Sequence, residues 1–247
     1  MKSGRDYYAN IYASQLEAEA KWLAFGALEK ANSVELLVHR RLTKPITVLE
    51  LGAGTGAIIA ELQIREFATN YIAVDYSPEA CGHMRKNLRG VTVIQADIVT
   101  ERIPEAADVV LLSHVLEHLE DPATLLSAVA KNVSFEWIVI ECPLEDLALS
   151  RFKNLFRDKK QNLAGHVQFF TAASLCALIS QHFNIVDYRH YAPWYPSQVV
   201  SFIAEKDQLS TSSRIIKQVT MDVGPRYMAS VWKRLWLGNY AVLCKKK

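Results

Sequence analysis

The sequence predicts an α/β protein built on a mostly parallel sheet with helices on both faces. Three observations carry that expectation. Short apolar runs alternate with stretches of helical periodicity through five successive units, the pattern of strand–helix–strand crossovers. The first run, residues 48–51, leads into Gly52-Ala53-Gly54-Thr55-Gly56, a turn without bulky side chains that lets a ligand approach the backbone. The acids and glycines gather at the carboxyl ends of the runs, where open sheets of this kind bind their ligands.

Taken in order, residues 14–41 read as one long helix. Leu16, Ala20, Leu23, Ala27, Val34 and Leu37 recur at helical spacing with charges between them. Ahead of it Tyr7, Tyr8 and Tyr12 either pack the terminal segment onto the core or line the site. Lys44-Pro45 stops the helix. Strands are expected near 47–51, 71–75, 91–95, 109–113 and 137–141, with helices near 55–65, 78–88 and 122–132. Asp121-Pro122 opens the last of these, a capping acid followed by proline in the first turn. Residues 144–165 are irregular and basic, carrying Arg151, Lys153, Arg157, Lys159 and Lys160. Thr171 then starts a helix through Leu175, Leu178 and Ile179, and residues 183–188 read as a sixth strand. Residues 189–238 are an insertion holding Trp194, Tyr195, Trp232 and Trp236, ahead of a final strand at 240–244. No internal repeat is found.

At 247 residues, half of them hydrophobic, the chain can bury a substantial core and is most simply one domain with insertions. A net charge of +2 supplies no concentrated basic face, which argues against nucleic acid as a partner. Cys81, Cys142, Cys176 and Cys244 are far apart and form no Cys-x-x-Cys pair, so they read as free thiols of a reduced compartment. The first residues carry no signal-peptide pattern, and no apolar run is long enough to span a bilayer. The expectation is a soluble cytoplasmic protein with at most peripheral membrane contact, through Trp232-Lys233-Arg234-Leu235-Trp236.

Four segments in order narrow the reading. They are Glu50-Leu51-Gly52-Ala53-Gly54-Thr55-Gly56, Val74-Asp75-Tyr76-Ser77-Pro78, Ala96-Asp97-Ile98, and His114-Val115-Leu116-Glu117-His118-Leu119-Glu120-Asp121-Pro122. With them the chain resembles the class I S-adenosylmethionine (SAM)-dependent methyltransferases, in the ubiquinone-biosynthesis and small-molecule group, over residues 46–188 and the last strand. His166-Val167-Gln168-Phe169-Phe170-Thr171 is similar to a segment of the same group. The resemblance implies a Rossmann-like sheet of seven strands, the last antiparallel. It divides the chain into an N-terminal helical lid (1–45), a SAM-binding core (46–188), a cap (189–238) and a closing strand with a basic tail (239–247).

SAM presents a ribose diol, an adenine, a sulfonium, an ammonium and a carboxylate. The resemblance implies that Asp75 accepts from the ribose hydroxyls, a charge-assisted contact. It implies that Asp97 accepts from the adenine amine while the Ile98 N–H faces a ring nitrogen, and that Glu50 meets the methionine amino group. The backbone of Gly52, Ala53, Gly54, Ser113 and His114 is expected around the methionine moiety, and Tyr76 completes the cofactor set. S-adenosylhomocysteine would be the product. A nicotinamide dehydrogenase competes, because Gly52-x-Gly54-x-x-Ala57 satisfies the dinucleotide fingerprint. Glu50, Asp97 and the 114–122 segment favour SAM.

Methyl transfer requires an acceptor aligned with the sulfonium and, for a hydroxyl or ammonium, a group that removes a proton. His114, Glu117 and His118 lie at the mouth of the expected site, and His166 arrives from another segment. Three readings stay open. His118 or His166 is a general base; or Glu117, His118 and His166, with or without His114, hold a divalent metal; or Glu117 and His118 orient the loop through hydrogen bonds. The metal reading is similar to the Glu-x-x-Glu-His pattern of ubiquinone-pathway and small-RNA O-methyltransferases. Here His114 replaces the first Glu, a poor exchange for a hard cation, so no metal is assigned. The expected reaction is methyl transfer to a hydroxyl or amine of a small-molecule, sugar or lipid-linked acceptor. The alternatives are a SAM-binding regulatory or scaffold subunit without catalysis and, behind it, an NAD-dependent oxidoreductase.

Overall fold

Side chains alternate across a strand, so parity decides which residues of an apolar run meet which helix layer. The computed structural model describes residues 4–44, 46–103, 105–145, 165–235 and 238–247. In it β1 (Thr47–Leu51) sends Val48 to one face of the sheet and Leu49 and Leu51 to the other. β4 (Ala106–Ser113) divides the same way, Val109 and Leu111 against Val110 and Leu112. So does β5 (Ser134–Leu144), with Trp137 and Val139 against Ile138 and Ile140. Two apolar layers result. α1 (Gly4–Val38), α2 (Ala57–Ile64) and α3 (Pro78–Asn87) cover the Val48 side. α4 (Pro122–Asn132) and α5 (Ala172–Ile179) cover the other.

The remaining strands are β2 (Asn70–Asp75), β3 (Val91–Gln95), β6 (Phe183–Tyr191) and β7 (Gly238–Lys246), and the sheet order is β3-β2-β1-β4-β5-β7-β6. β1 to β5 pair in parallel, while β7 runs antiparallel to both β5 and β6. The chain winds outward from β1 to β3, then starts again at β4 on the opposite side of β1. A crevice opens at that switch point.

Every expected strand is present, and the differences lie at the ends. β5 extends to Leu144 because Pro143 and Leu144 find partners in Asn239 and Gly238 of β7, a pairing that no local pattern reports. α2 begins at Ala57 instead of 55, because Gly56 adopts φ +76° and the turn continues through it. The three tyrosines expected ahead of the first helix lie within it: α1 starts at Gly4 and is interrupted at Gln15 (φ −141°, ψ 30°). The basic residues Arg151, Lys153, Arg157, Lys159 and Lys160, and Trp236, lie outside the described residues.

The insertion folds as α6 (Ser197–Lys206), α7 (Thr211–Gln218), a π-helical turn at Val219–Val223, and α8 (Gly224–Leu235). α6 and the segment before it dock on α1. Lys206 Nζ donates to the buried Glu19 carboxylate at 2.7 Å, Trp22 packs on Tyr195 and Phe25 on Phe202. Arg189 of β6 clamps the same helix through Glu29 and Ser33. Asp222 gathers Trp194, Ser197 and Gln218 in the interior of the insertion.

Gly56 tests the turn that starts α2. A Cβ there would lie 2.5 Å from Leu88 Cδ1 and 3.0 Å from Met84 Cγ, at a left-handed φ. Gly56→Ala is expected to destabilise the fold by about 1–3 kcal/mol. A thermal melt should show a fall of roughly 2–4 °C for each kcal/mol lost.

Candidate active site

The carboxyl ends of β1, β2 and β4 and the turn after β3 surround one cavity of about 1100 Å³, counting its solvent-open part. Glu50, Gly52, Ala53, Gly54, Asp75, Tyr76, Asp97, Ile98, Ser113 and His114 all line it. The residues that the sequence singles out for the cofactor therefore share one space.

Asp75 ties its floor together. Its carboxylate accepts from the Gly54 N–H at 2.7 Å and from the Ser77 N–H at 2.9 Å, while Gly52 and Ala53 donate to the Val74 carbonyl. Burial raises the Asp75 pKa above the usual carboxylate value, against the pull of those amides. The turn can approach its neighbours only as glycine. A Cβ at Gly52 would fall 2.7 Å from Val115 Cγ2, and one at Gly54 would fall 2.8 Å from Tyr12 Oη, both at positive φ. Beyond β3, Asp97 Oδ1 accepts from the Val99 N–H and the Asp97 N–H donates to Glu101, which fixes the loop around Ile98.

Parity on the strands brings acids to the α1 side. Glu50 shares a face with Val48 and Glu141 shares one with Val139, and Lys30 of α1 reaches the cavity opposite them. Burial pushes Glu50 up to about 8, with Lys30 opposing and Asp75 adding. Burial lowers Lys30, countered by Glu141, Glu117 and Glu50. Glu141 is anchored by the Tyr191 hydroxyl at 2.8 Å, which in turn accepts from Asn239. Burial acts to raise Glu141 too, but His114, Lys30 and Tyr191 bring it below its ordinary value. Glu50 Oε2, Ser113 Oγ, His114 Nε2 and both Glu117 oxygens are buried without a hydrogen-bond partner. Such orphans are costly unless a ligand supplies partners; Glu50, Ser113 and His114 line the cavity, so these three fit a polar cofactor.

His114 holds φ +55°, a strained backbone for a non-glycine residue. Its N–H donates to the Glu141 carbonyl at 2.8 Å, and its ring stands 3.3 Å from Glu117 Oε1 and 3.5 Å from Glu141 Oε1. A 3-10 turn at Leu116–His118 follows. The Gly165 carbonyl accepts from His118 Nδ1 at 3.2 Å, so Nε2 carries the lone pair and accepts the Tyr8 hydroxyl at 3.1 Å. Burial lowers His118 to about 4, with Glu117 opposing and His166 adding. It is neutral at pH 7.

Of the four acceptor-side candidates, His114 and His118 line the cavity. Glu117 lies 3.9 Å from His118 Nε2, and the His166 ring packs edge-on to that of His118. His166 Nδ1 bonds Glu145, which raises its pKa against the effect of burial. Burial acts to raise Glu117 as well, but the imidazoles of His114, His118 and His166 outweigh it. Ligand atoms of Glu117, His118 and His166 lie within 4.8 Å of one another and could share a metal ion. Lys30, unassigned by the sequence reading, had one signal: it follows Leu23 and Ala27 and precedes Val34 on the apolar stripe of α1. Tyr8 and Tyr12 line the cavity, whereas Tyr7 packs on Gly165.

Residues 25–186 match the family model described as a methyltransferase domain. The chain belongs to this family, and with its sheet order and glycine turn it is of the class I SAM-dependent kind. It is 26% identical over 178 residues to trans-aconitate 2-methyltransferase of Methylobacterium nodulans, spanning 71% of this chain and 65% of that one. It is 38% identical over 99 residues to a "probable S-adenosylmethionine-dependent methyltransferase" of Mycobacterium tuberculosis, spanning 38% and 35% of the two chains. It thus spans about two thirds and one third of the lengths of these relatives. Its fold is similar to that of the N-methyltransferase NodS from Bradyrhizobium japonicum, solved with S-adenosyl-L-homocysteine. The TM-score is 0.60 at 14% identity, over 98% of this chain and 99% of that one.

The raised Glu50 pKa has a stability consequence. Between about 4.5 and about 8 the unfolded carboxyl ionises while the folded one keeps its proton, so the folded state loses ground as pH rises. Glu50→Gln removes that dependence. Denaturant unfolding without cofactor should show the variant gaining on the native protein from pH 5 to pH 8, then holding its advantage.

Proposed function

We propose that this chain moves a methyl group from SAM to a hydroxyl or amine of a small-molecule, sugar or lipid-linked acceptor. The supporting observation is the convergence of buried, unpartnered polar groups on one cavity at the switch point, with a neutral histidine on its wall. In this reading Asp75 holds the ribose diol with lone pairs that Gly54 and Ser77 leave open. Asp97 and the Ile98 N–H hold the adenine, with Tyr76 beside them in the cavity wall. Glu50 takes the methionine ammonium and ionises as it does so, and Lys30 takes the carboxylate. Gly52, Ala53, Gly54 and the backbone of Ser113 and His114 close on the methionine chain. α1, with Tyr8 and Tyr12, serves as the lid.

The cofactor supplies an electrophilic methyl on a sulfonium; the protein supplies alignment and a proton acceptor. His118 Nε2, whose lone pair accepts the Tyr8 hydroxyl, takes the acceptor proton through that hydroxyl, which passes its own proton to Nε2 as it receives the acceptor's. Glu117, without a hydrogen-bond partner at 3.9 Å, stabilises the imidazolium that forms. The relative named for trans-aconitate supports a small molecule as acceptor.

Calorimetric titration with SAM and with NADH tests the reading. The native protein should bind SAM alone, and Asp75→Ala should weaken it by about 100-fold or more, the cost of two charge-assisted hydrogen bonds. His118→Ala should keep SAM affinity and lower kcat by about 10²–10⁴-fold across a panel of hydroxyl and amine acceptors. In the native enzyme the acid limb of kcat/KM should then fall near pH 4. NADH binding without SAM binding would overturn the reading.

A second reading is favoured by the approach of Glu117, His118 and His166. His118 is oriented by Gly165 and His166 by Glu145, the outer contacts that fix ligating histidines. A divalent ion held there would acidify a hydroxyl acceptor. Equilibrium dialysis with Zn²⁺ should then give stoichiometric binding that Glu117→Gln abolishes; full turnover after chelation removes this reading.

A further inference from the structure

The insertion carries a surface that the catalytic reading does not use. From Thr211 to Leu235, α7, the π-helical turn and α8 follow one another directly, and α8 is kinked at Met228 (φ −133°, ψ 30°). Every fourth residue of this segment is apolar and exposed: Ile215, Val219, Val223, Tyr227, Val231 and Leu235. Ile216 and Met228 widen the stripe, at 58% and 52% exposure. A four-residue spacing drifts by about 40° per step around an α-helix; the wider π turn offsets part of that drift, and the kink at Met228 divides the stripe between Tyr227 and Val231. α7 buries none of its own residues, and α8 buries only Gly224 and Pro225 at its start. An apolar stripe of this length on the outside of a helix is not needed to hold the fold.

The exposed charged side chains of the segment itself are of one sign, while its Lys217 is paired with Asp207 at 2.8 Å. Arg214, Arg226 and Arg234 are exposed. Arg214 donates only its Nε to the Leu209 carbonyl, and Arg226 lies over the Tyr227 ring. Asp222 is the single acid between 211 and 235, and it is turned inward onto Trp194, Ser197 and Gln218. Trp232 also points inward, donating to the Thr220 carbonyl and packing over Gly224. It belongs to the core of the insertion, so the outer surface is made by other residues. No described helix is long and apolar enough to cross a membrane.

We propose that the 211–235 face is an interfacial surface for anionic lipid bilayers, with the apolar stripe at the acyl boundary and Arg214, Arg226 and Arg234 among the headgroups. The combination of an apolar face with flanking cations is what such a surface rewards. A second copy of the chain suits it less well. A two-fold contact through this face would bring the same arginines together with no exposed acid in the segment to answer them. The inference stands on the insertion alone and is independent of the acceptor.

Flotation of the 247-residue chain with vesicles of neutral phosphatidylcholine, or of the same lipid mixed with anionic phosphatidylserine, tests it. The protein should float with the anionic vesicles and not with the neutral ones, and raised salt should release it. Arg214→Glu, Arg226→Glu and Arg234→Glu together should lower the partition by about 100-fold, roughly fivefold for each cation lost. Val223→Asp and Val231→Asp should lower it without moving SAM affinity, which also reports that the variants fold. Equal partition onto both vesicles, or none, overturns the proposal. So does a dimer in sedimentation velocity that the two aspartate substitutions dissociate, since the face would then be a protein contact.

Discussion

Asp75 accepts from two backbone amides that belong to different loops, Gly54 after β1 and Ser77 after β2. With that carboxylate in place the glycine turn is pulled against the end of β2, and α2 and α3 both start from fixed points. Ser77 caps α3 through the Ala80 N–H, and Gly56 directs the chain into α2. A buried carboxylate needs such donors, because burial alone would favour its neutral form. The same two bonds that settle the fold aim the remaining lone pairs of Asp75 at the cavity. One buried group thus joins the two loops and lines the cavity.

The second organising feature is the set of acids and imidazoles behind His118. Glu117 is fully buried and has His114 on one side and His118 and His166 on the other, while Glu141 closes the far side of His114. In a low-dielectric interior these charges set one another's protonation. His118 is left neutral, with one nitrogen committed to Gly165 and the other turned to Tyr8. The strained backbone at His114 is held by its N–H bond to Glu141 and by the strand pairing of β4 with β5. Strain of that kind persists only where the surroundings fix it.

The insertion and α1 are coupled more firmly than the linear order implies. Glu19, Trp22, Phe25 and Glu29 of α1 each meet a partner beyond residue 188. Movement of α1 over the cavity would therefore carry α6 with it. The outer face of α7 and α8 takes no part in this contact, which leaves its apolar stripe free for another surface.

Much of the architecture was legible in the chain because its signals are local. Short apolar runs place β1 to β5, and the glycines after β1 mark its turn, whereas the positive-φ bend at His114 carries no such mark. Asp121-Pro122 and Thr171 each announce a helix start through side-chain caps that the structure forms. Asp75 and Asp97 could be found by their position at strand ends. Lys30 could not be assigned so easily, since a lysine on an apolar stripe has meaning only when the facing acids are known. The same holds for Tyr8, whose partner His118 is 110 residues away, and for the length of β5, which is set by its pairing with β7. The sequence determined the order of elements and the polar groups at the strand ends that line the cavity, because helix period, strand parity and turn chemistry act over a few residues. Tertiary structure alone decided which ionisable groups touch, which nitrogen of His118 holds the proton and which face of 211–235 stays bare. Those depend on burial and on distances between segments far apart in the chain, and no local pattern records them.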